Sequence, residues 1–357
     1  GAAFTSRLAA EHLRDFSRSR AALAEFRVAA ETDPWAGRDG LLAQLGGRDV
    51  VIAFVESYGR AAFDNPLYAT RHANTLAAGE AALRQAGLEA RSGWLTSPVI
   101  GGQSWLAHGS LASGLDVSDQ TRYRALLTSA RETLFSLAQE AGYQSVAVAP
   151  AIVMPWPEGP QLGFETVLAA ADLGYEGLPF NWVTMPDQYT LAAYERLAPE
   201  GAPRMTEIAL ISSHAPWTPV AEIVPWGSVG DGSVFDAQAV AGPSPGEVWA
   251  DRDSIRDHYA RALDYSVETV LSWAALPRES QPLLIVLGDH QAAGFVSQTG
   301  GMDVPVHLIG PPEAVSLFEG WGWSAGLTPD PALASWPMSA FRDRFLEATS
   351  REREEGS

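Results

Sequence analysis

The chain contains no cysteine. That removes disulfides, thiolate metal sites and a cysteine nucleophile, and it leaves cytoplasm and periplasm both open. Lysine is absent as well: all 24 basic residues are arginine, set against 43 acidic ones for a formal net charge of −19. An acidic surface repels nucleic acid and anionic lipid, so neither is expected as a bulk partner. Net charge says little about a catalytic cleft, where a local cation can reverse the field. No run of about 18 apolar residues occurs, so the given residues hold no membrane-spanning helix, and no signal-peptide pattern opens them.

What is present points to a globular enzyme-sized chain. Its 357 residues, 46% hydrophobic and 19% charged, allow a sizeable core in one large α/β domain or two smaller ones. Residues 1–47 read as polar helices in which Arg7, His12, Arg14, Arg18 and Arg20 interleave with Leu8, Leu13, Phe16 and Leu23. They suit either a packed N-terminal segment or a stalk next to a membrane. Residues 48–345 read as the catalytic domain and 346–357 as a charged, solvated tail.

Within 48–345, apolar β-branched runs mark buried strands at 49–55, 145–149, 205–211 and 282–287, with a shorter one at 304–309. Helical periodicity covers 69–86, 122–141 and, most clearly, Arg252–Trp273, where Ile255, Tyr259, Leu263, Val267, Val270 and Leu271 share a stripe. Segments 150–185 and 215–250, rich in Pro, Gly and Trp, read as surface elaborations. Strands alternating with helices predict a three-layer α/β/α sandwich around a mostly parallel sheet, with its active site at the carboxyl ends of the strands.

Four ionisable residues stand just after predicted strands: Glu56, His214, Asp289 and His290. Each alone has an ordinary explanation as a solvated loop residue, a turn former or a surface histidine. Together, on one edge of an open sheet, they form a candidate site. Ser104 follows Gly101 and Gly102 and opens a predicted helix, whose N-terminus would favour a phosphoryl oxygen. A helix-capping serine would look the same.

These residues resemble the alkaline phosphatase superfamily, in the sulfatase-like branch that includes lipoteichoic acid synthases and phosphoglycerol or phosphoethanolamine transferases. The matching pieces run in order: Val55-Glu56-Ser57, Ser104 with Ser110 to Leu115 after it, Ser213-His214-Ala215-Pro216, and Gly288-Asp289-His290. The resemblance implies that Glu56, Ser104, Asp289 and His290 coordinate one divalent ion. Oxygen ligands with one histidine suit Mn²⁺ or Mg²⁺, with Zn²⁺ and Ca²⁺ as alternatives. It further implies that Ser104 is the nucleophile and that His214 contacts the phosphoryl group.

Departures narrow the reading. Sulfatases need Pro and Arg soon after the modified residue, and Ser104-Trp105-Leu106-Ala107-His108 offers neither. Lipid A phosphoethanolamine transferases usually carry disulfides, which are absent here. The expectation is therefore a metal-dependent transferase that moves a phosphoglycerol-like group from a phospholipid head-group donor to a glycan or other alcohol acceptor through phospho-Ser104. By the same analogy the domain lies outside the bacterial inner membrane, in the periplasm, tethered by helices not among these residues. A phosphodiesterase or phosphomonoesterase with the same site is the alternative, and an inactive glycan-binding module is a third reading. Trp105, His108, Trp182, Asp187 and Trp217 are candidate substrate contacts, with Asp231 a further one. His258 and His307 read as structural, and His72 is left undecided.

Overall fold

The structure, a computed structural model, describes residues 2–352. Nine strands form one sheet: β1 (Val50–Val55), β2 (Glu89–Thr96), β3 (Gln144–Ala149), β4 (Thr166–Ala169), β5 (Arg204–Leu210), β6 (Leu283–Gly288), β7 (Asp303–Gly310), β8 (Ser324–Ala325) and β9 (Trp336–Pro337). Their order is β4-β3-β5-β1-β6-β7-β2-β8, with β9 beside β2. The principal helices are α1 (Ala2–Ala30), α2 (Pro66–Gln85), α3 (Ser104–Ser113), α4 (Gln120–Leu127), α5 (Leu134–Glu140), α6 (Asp187–Leu197), α7 (Arg252–Ala274) and α8 (Phe341–Thr349).

The five strands from β4 to β6 are parallel; β7 runs opposite to them, and β2, antiparallel to β7, returns to their direction. The sheet is thus mixed but mostly parallel. The alternation of strand side chains divides the core into two layers. Val51, Ala53 and Val55 join one layer with α2, α6 and α7. Val50, Ile52 and Phe54 join the other with α3, α4, α5 and α8. Every residue of β1 and β6 is buried, as expected for strands covered on both faces.

Three expectations change. Residues 89–96, which the sequence marks only as a short segment bringing the chain back after the helix at 69–86, form a full eight-residue strand. The helix expected over 122–141 is two helices, because Ser129 and Thr133 turn the chain between them. Ser129 bonds the Leu126 carbonyl, and Thr133 caps α5 in a reciprocal capping box with Ser136. The ends of the catalytic unit also differ. α8 runs across the boundary placed after residue 345, and Leu346 and Thr349 are fully buried. The charged tail therefore begins later, and residues 353–357 lie outside the described ones.

The N-terminal segment divides into two parts. α1 is exposed through residue 21, and only from Phe26 and Ala30 onward does the segment pack into the core. Asp33 then makes a buried ion pair with Arg342 of α8 at 2.6 Å, the Leu42 N–H donates to Ser350 Oγ at 3.2 Å, and Arg351 N–H donates to the Gly40 carbonyl at 2.9 Å. Residues 33–45 are thus part of the packed unit, held by its C-terminal helix.

Arg342 is 0% exposed and Asp33 1%. Removing one member of such a pair strands a buried charge. Asp33→Ala is expected to cost about 3–5 kcal/mol, read as a lower midpoint in chemical denaturation. An unchanged midpoint would show that these two segments do not fold together.

Candidate metal and phosphotransfer site

β1 pairs in register with both parallel neighbours, Val55 opposite Leu210 of β5 and Gly288 of β6. Glu56 and Asp289 therefore leave the sheet side by side. Asp289 N–H reaches back to the Val55 carbonyl at 3.4 Å. Gly288 is required here, because a Cβ would overlap the Tyr58 carbonyl oxygen. The Gly-Asp-His turn is thereby locked against the turn that follows β1.

Glu56, Asp289 and His290 bring one ligand atom each within 4.8 Å of one another. His290 Nε2 lies 3.3 Å from Glu56 Oε1 and 3.6 Å from Asp289 Oδ1. His290 is 1% exposed, and its Nε2 is buried without a hydrogen-bond partner among the described residues. Its Nδ1 sits 2.8 Å from the Gln291 carbonyl oxygen, which can only accept, so Nδ1 carries a proton. In the neutral ring this leaves the Nε2 lone pair aimed into the cluster, the arrangement a histidine metal ligand requires.

The charges of the group are strongly coupled. Burial pushes the Glu56 carboxyl up, but the adjoining His290 and Asp289 side chains outweigh it, bringing Glu56 down to about 2. Burial and the Glu56 charge hold Asp289 well above the ordinary range. Burial alone would lower His290, yet Asp289 and Glu56 raise it to about 9. Asp289 and His290 thus hold protons that a divalent cation would displace. Two oxygen donors, one orphan imidazole nitrogen and the surplus negative charge fit such a cation.

The loop 97–103 is stitched to this turn. Ser97 Oγ donates to the Asp289 carbonyl at 2.6 Å, and Gly101 N–H to the Gln291 carbonyl at 2.8 Å. Gly101 has φ 73°, and a Cβ there would stand 3.3 Å from Ala293 Cα. Gln103, at φ 59°, then turns the chain into α3 without a side-chain cap. Ser104 is the first residue of the helix rather than its cap, which sets aside the capping explanation. Its hydroxyl is half-buried and makes no hydrogen bond among the described residues. Free first-turn N–H groups and an unengaged hydroxyl meet at the same place.

The remaining candidates separate. His214 is exposed, its Nδ1 2.7 Å from the Ala215 carbonyl. Ser213 beside it donates to the Glu56 carbonyl at 2.6 Å, so the third strand end is tied to the same turn. His108, one turn along α3 from Ser104, stacks on Phe54 at 4.1 Å and places Nδ1 3.9 Å from Glu207. That pair is no salt bridge at neutral pH: burial lowers His108 to about 4 and raises Glu207 to about 8, so both are uncharged. Trp105 is 44% exposed and Trp182 76%.

Asp187 and Trp217 are corrected. Asp187 is fully buried, accepting from the Ile211 and Ser212 N–H groups and the Ser266 hydroxyl, so it braces the end of β5 instead of meeting a substrate. Trp217 is buried, donates to the Ser213 carbonyl and stacks on Trp249. Asp231 closes an exposed turn on Ser233. His72 and His307 are internal, both bonded to the Tyr58 hydroxyl, at 2.8 and 2.9 Å. His258 bonds the Ser254 carbonyl of its own helix. Glu207 was missed, although a glutamate inside the apolar run 205–211 was a visible signal.

The sulfatase family model matches residues 48–313. No curated relative matches the chain by sequence. Among solved structures the fold is similar to the lipoteichoic acid synthase LtaP of Listeria monocytogenes, at 12% identity, covering 80% of this chain and 71% of that one with a TM-score of 0.51. It is similar to the C-terminal periplasmic domain of EptC of Escherichia coli in complex with Zn, at 13% identity, 89% and 84% coverage and a TM-score of 0.54. It also matches the phosphoglycerol transferase GacH of Streptococcus pyogenes in complex with sn-glycerol-1-phosphate, at 14% identity, 94% and 87% coverage and a TM-score of 0.53. With its Glu-Asp-His cluster at the carboxyl edge of a mostly parallel sheet and most of its length matched, the chain belongs to the sulfatase family.

Proposed function

We propose that the protein is a metal-dependent phosphotransferase that moves a phospho-alcohol group, such as phosphoglycerol, from a lipid head group to an alcohol on a glycan. The observation that carries this reading is the orphan Nε2 of His290 facing Glu56 and Asp289 in a buried corner. Glu56, Asp289 and His290, with the Ser104 hydroxyl, would hold one divalent ion. When bound, that ion supplies positive charge that favours the serine alkoxide and offsets charge on the transferring group. Mn²⁺ or Mg²⁺ suits the oxygen-rich set, and Zn²⁺ suits it through the histidine.

The chain's own groups supply the rest. Ser104 Oγ attacks phosphorus, forming the Oγ–P bond as the bond to the donor's alcohol breaks, and the departing alkoxide takes up a proton. The first-turn N–H groups of α3 face the phosphoryl oxygens. His214, exposed at the end of β5, donates to one of them. An acceptor hydroxyl then attacks phospho-Ser104, loses its proton and frees the serine. Water in the acceptor's place makes the same site a hydrolase.

The absence of Pro and Arg after Ser104 supports phosphoryl rather than sulfuryl transfer. The named activities of LtaP and GacH support a phosphoglycerol-like group. An extracytoplasmic location is supported by the periplasmic EptC domain and by the exposed α1. Among the described residues no helix is long and apolar enough to cross a membrane.

Ser104→Ala is expected to lower turnover of a chromogenic phosphodiester about a thousandfold or more, as with other serine nucleophiles, while far-ultraviolet dichroism stays unchanged. Mass spectrometry of acid-quenched wild type should find the phospho-alcohol adduct on the Ser104 peptide. Full activity in the variant would eliminate Ser104 as nucleophile. Product analysis with added glycan separates transfer from hydrolysis: free product alone assigns the hydrolase.

Asp289→Asn should abolish both Mn²⁺ binding and turnover, and retention of either would overturn the ligand assignment. The pH dependence of binding has a definite sign. His290 holds a proton up to about pH 9 in the metal-free protein, so a cation must displace it at neutral pH. Affinity should rise roughly tenfold per pH unit for each proton displaced, so the His290 proton alone gives about 100-fold tighter Mn²⁺ binding at pH 8 than at pH 6 by calorimetry. A flat profile would mean that His290 is not a ligand.

A further inference from the structure

The catalytic edge carries a second concavity that the phosphotransfer chemistry leaves unused. A cavity of about 520 Å³ opens beside the metal-ligand turn, with Arg60, Asp64, Asn65, Gln291, Gln298 and Thr299 among its lining residues. The volume falls in the range of about 300–1,000 Å³ typical of small-molecule sites. Its walls come from the turn after β1, the N-terminus of α2 and the loop that leads into β7.

The wall shared with the metal site is Gln291, which is 2% exposed and follows His290 directly. Its carbonyl receives the His290 Nδ1 proton and the Gly101 N–H, so the same residue holds the metal ligand and the nucleophile loop. Its side-chain oxygen accepts from the Ala61 N–H at 3.2 Å. Its amide NH₂ has no partner among the described residues.

The chemistry of the lining excludes an anion. Arg60 is the cation of the cavity, and each of its three guanidinium nitrogens already has a partner. It bonds Asp64 at 3.0 Å, Asp303 at 3.3 Å and the Pro331 carbonyl at 2.8 Å, and it lies 4.3 Å above the Trp94 ring. Two carboxylates against one guanidinium leave the lining net negative, unsuited to a second phosphate.

What remains free is a set of neutral donors and one acceptor. Asn65 is spent on the Ser297 carbonyl, on Gln298 Oε1 and on capping α2, which fixes the wall. Gln298 keeps its amide NH₂ free, as Gln291 does. The Thr299 hydroxyl accepts from Gly301 and keeps its proton to donate. Asp64 is 56% exposed and uses one oxygen on Arg60, leaving the other open. Amide donors, a hydroxyl and a carboxylate oxygen around a water-sized-to-ligand-sized hollow match the alternating hydroxyls of a sugar or polyol.

We propose that this cavity binds an uncharged polyhydroxylated molecule, a sugar ring or short polyol, and is the acceptor subsite of the phosphotransfer reaction. The inference rests on the phosphotransferase reading for its acceptor role, while binding itself does not depend on it.

The probe is methyl β-glucoside. Saturation-transfer NMR with the full chain is expected to show binding that is lost when Thr299→Trp fills the cavity. Gln298→Ala, a smaller change at the same wall, should weaken binding several-fold and serves if the tryptophan variant fails to fold. No glucoside signal with wild type, or an equal signal in the folded variants, overturns the site. In turnover of a chromogenic phosphodiester with added glucoside, the ratio of phosphorylated glucoside to hydrolysed product should fall at least tenfold in either variant. An unchanged ratio overturns the acceptor role. Wild type that binds glucoside through this cavity but turns over no phosphodiester supports the polyol site, and it rejects the phosphotransfer reading together with the acceptor role.

Discussion

Two carboxylates and an imidazole crowded into a buried corner are the constraint to which the rest of the structure answers. Two like charges at the 4.8 Å limit of the Glu56-Asp289-His290 group repel by roughly 3–4 kcal/mol at an effective dielectric near 20. The protein relieves this by drawing apart the acidities of Glu56 and Asp289 and by placing donors against the latter. The N–H groups of Ser57 and His290 both reach Asp289 Oδ1, at 2.9 and 2.6 Å. Such an arrangement is costly for stability and has chemical value when a cation occupies it.

Holding it open requires stiff surroundings, and these are supplied by short polar ties between strand ends. Ser213 secures the Glu56 carbonyl, Ser97 the Asp289 carbonyl, and Tyr259 of α7 the Ser57 carbonyl at 2.5 Å. Behind the turn, a buried chain runs from Asp264 through His72, Tyr58 and His307 to Ser92. It joins α7, α2, β7 and β2 to the residues just after Glu56. Every member has a partner, so the network rigidifies without leaving an unsatisfied group.

How much of this could be read in the sequence follows from the range of the interactions. Buried strands announce themselves locally, and β1 and β6 gave the position of Glu56 and of the Asp289-His290 pair directly. Ser104 was legible through its glycines. Asp187 and Trp217 were misplaced because a polar or aromatic residue in an elaborated loop carries no local sign of burial; their partners, Ser266 and Trp249, come from distant segments. The reversed direction of β7 was likewise hidden, since apolar content does not encode strand direction. The split between α4 and α5 lay in Ser and Thr side chains that compete for backbone hydrogen bonds.

The pair His108 and Glu207 keeps buried charge away from the start of α3 in an acidic protein. Glu207 stands inside β5, with its carboxyl near the helix that carries Ser104. Ionised, it would add a negative charge behind Ser104, opposing the alkoxide and the incoming phosphodiester proposed for that position. Burial instead raises it to about 8, and the adjacent imidazole is held neutral by the same desolvation. The layer beneath Ser104 is therefore uncharged at neutral pH, despite a net charge of −19 on the chain. Negative charge at the edge is concentrated where a cation would meet it, and the first turn of α3 keeps its partial positive charge for the phosphoryl oxygens.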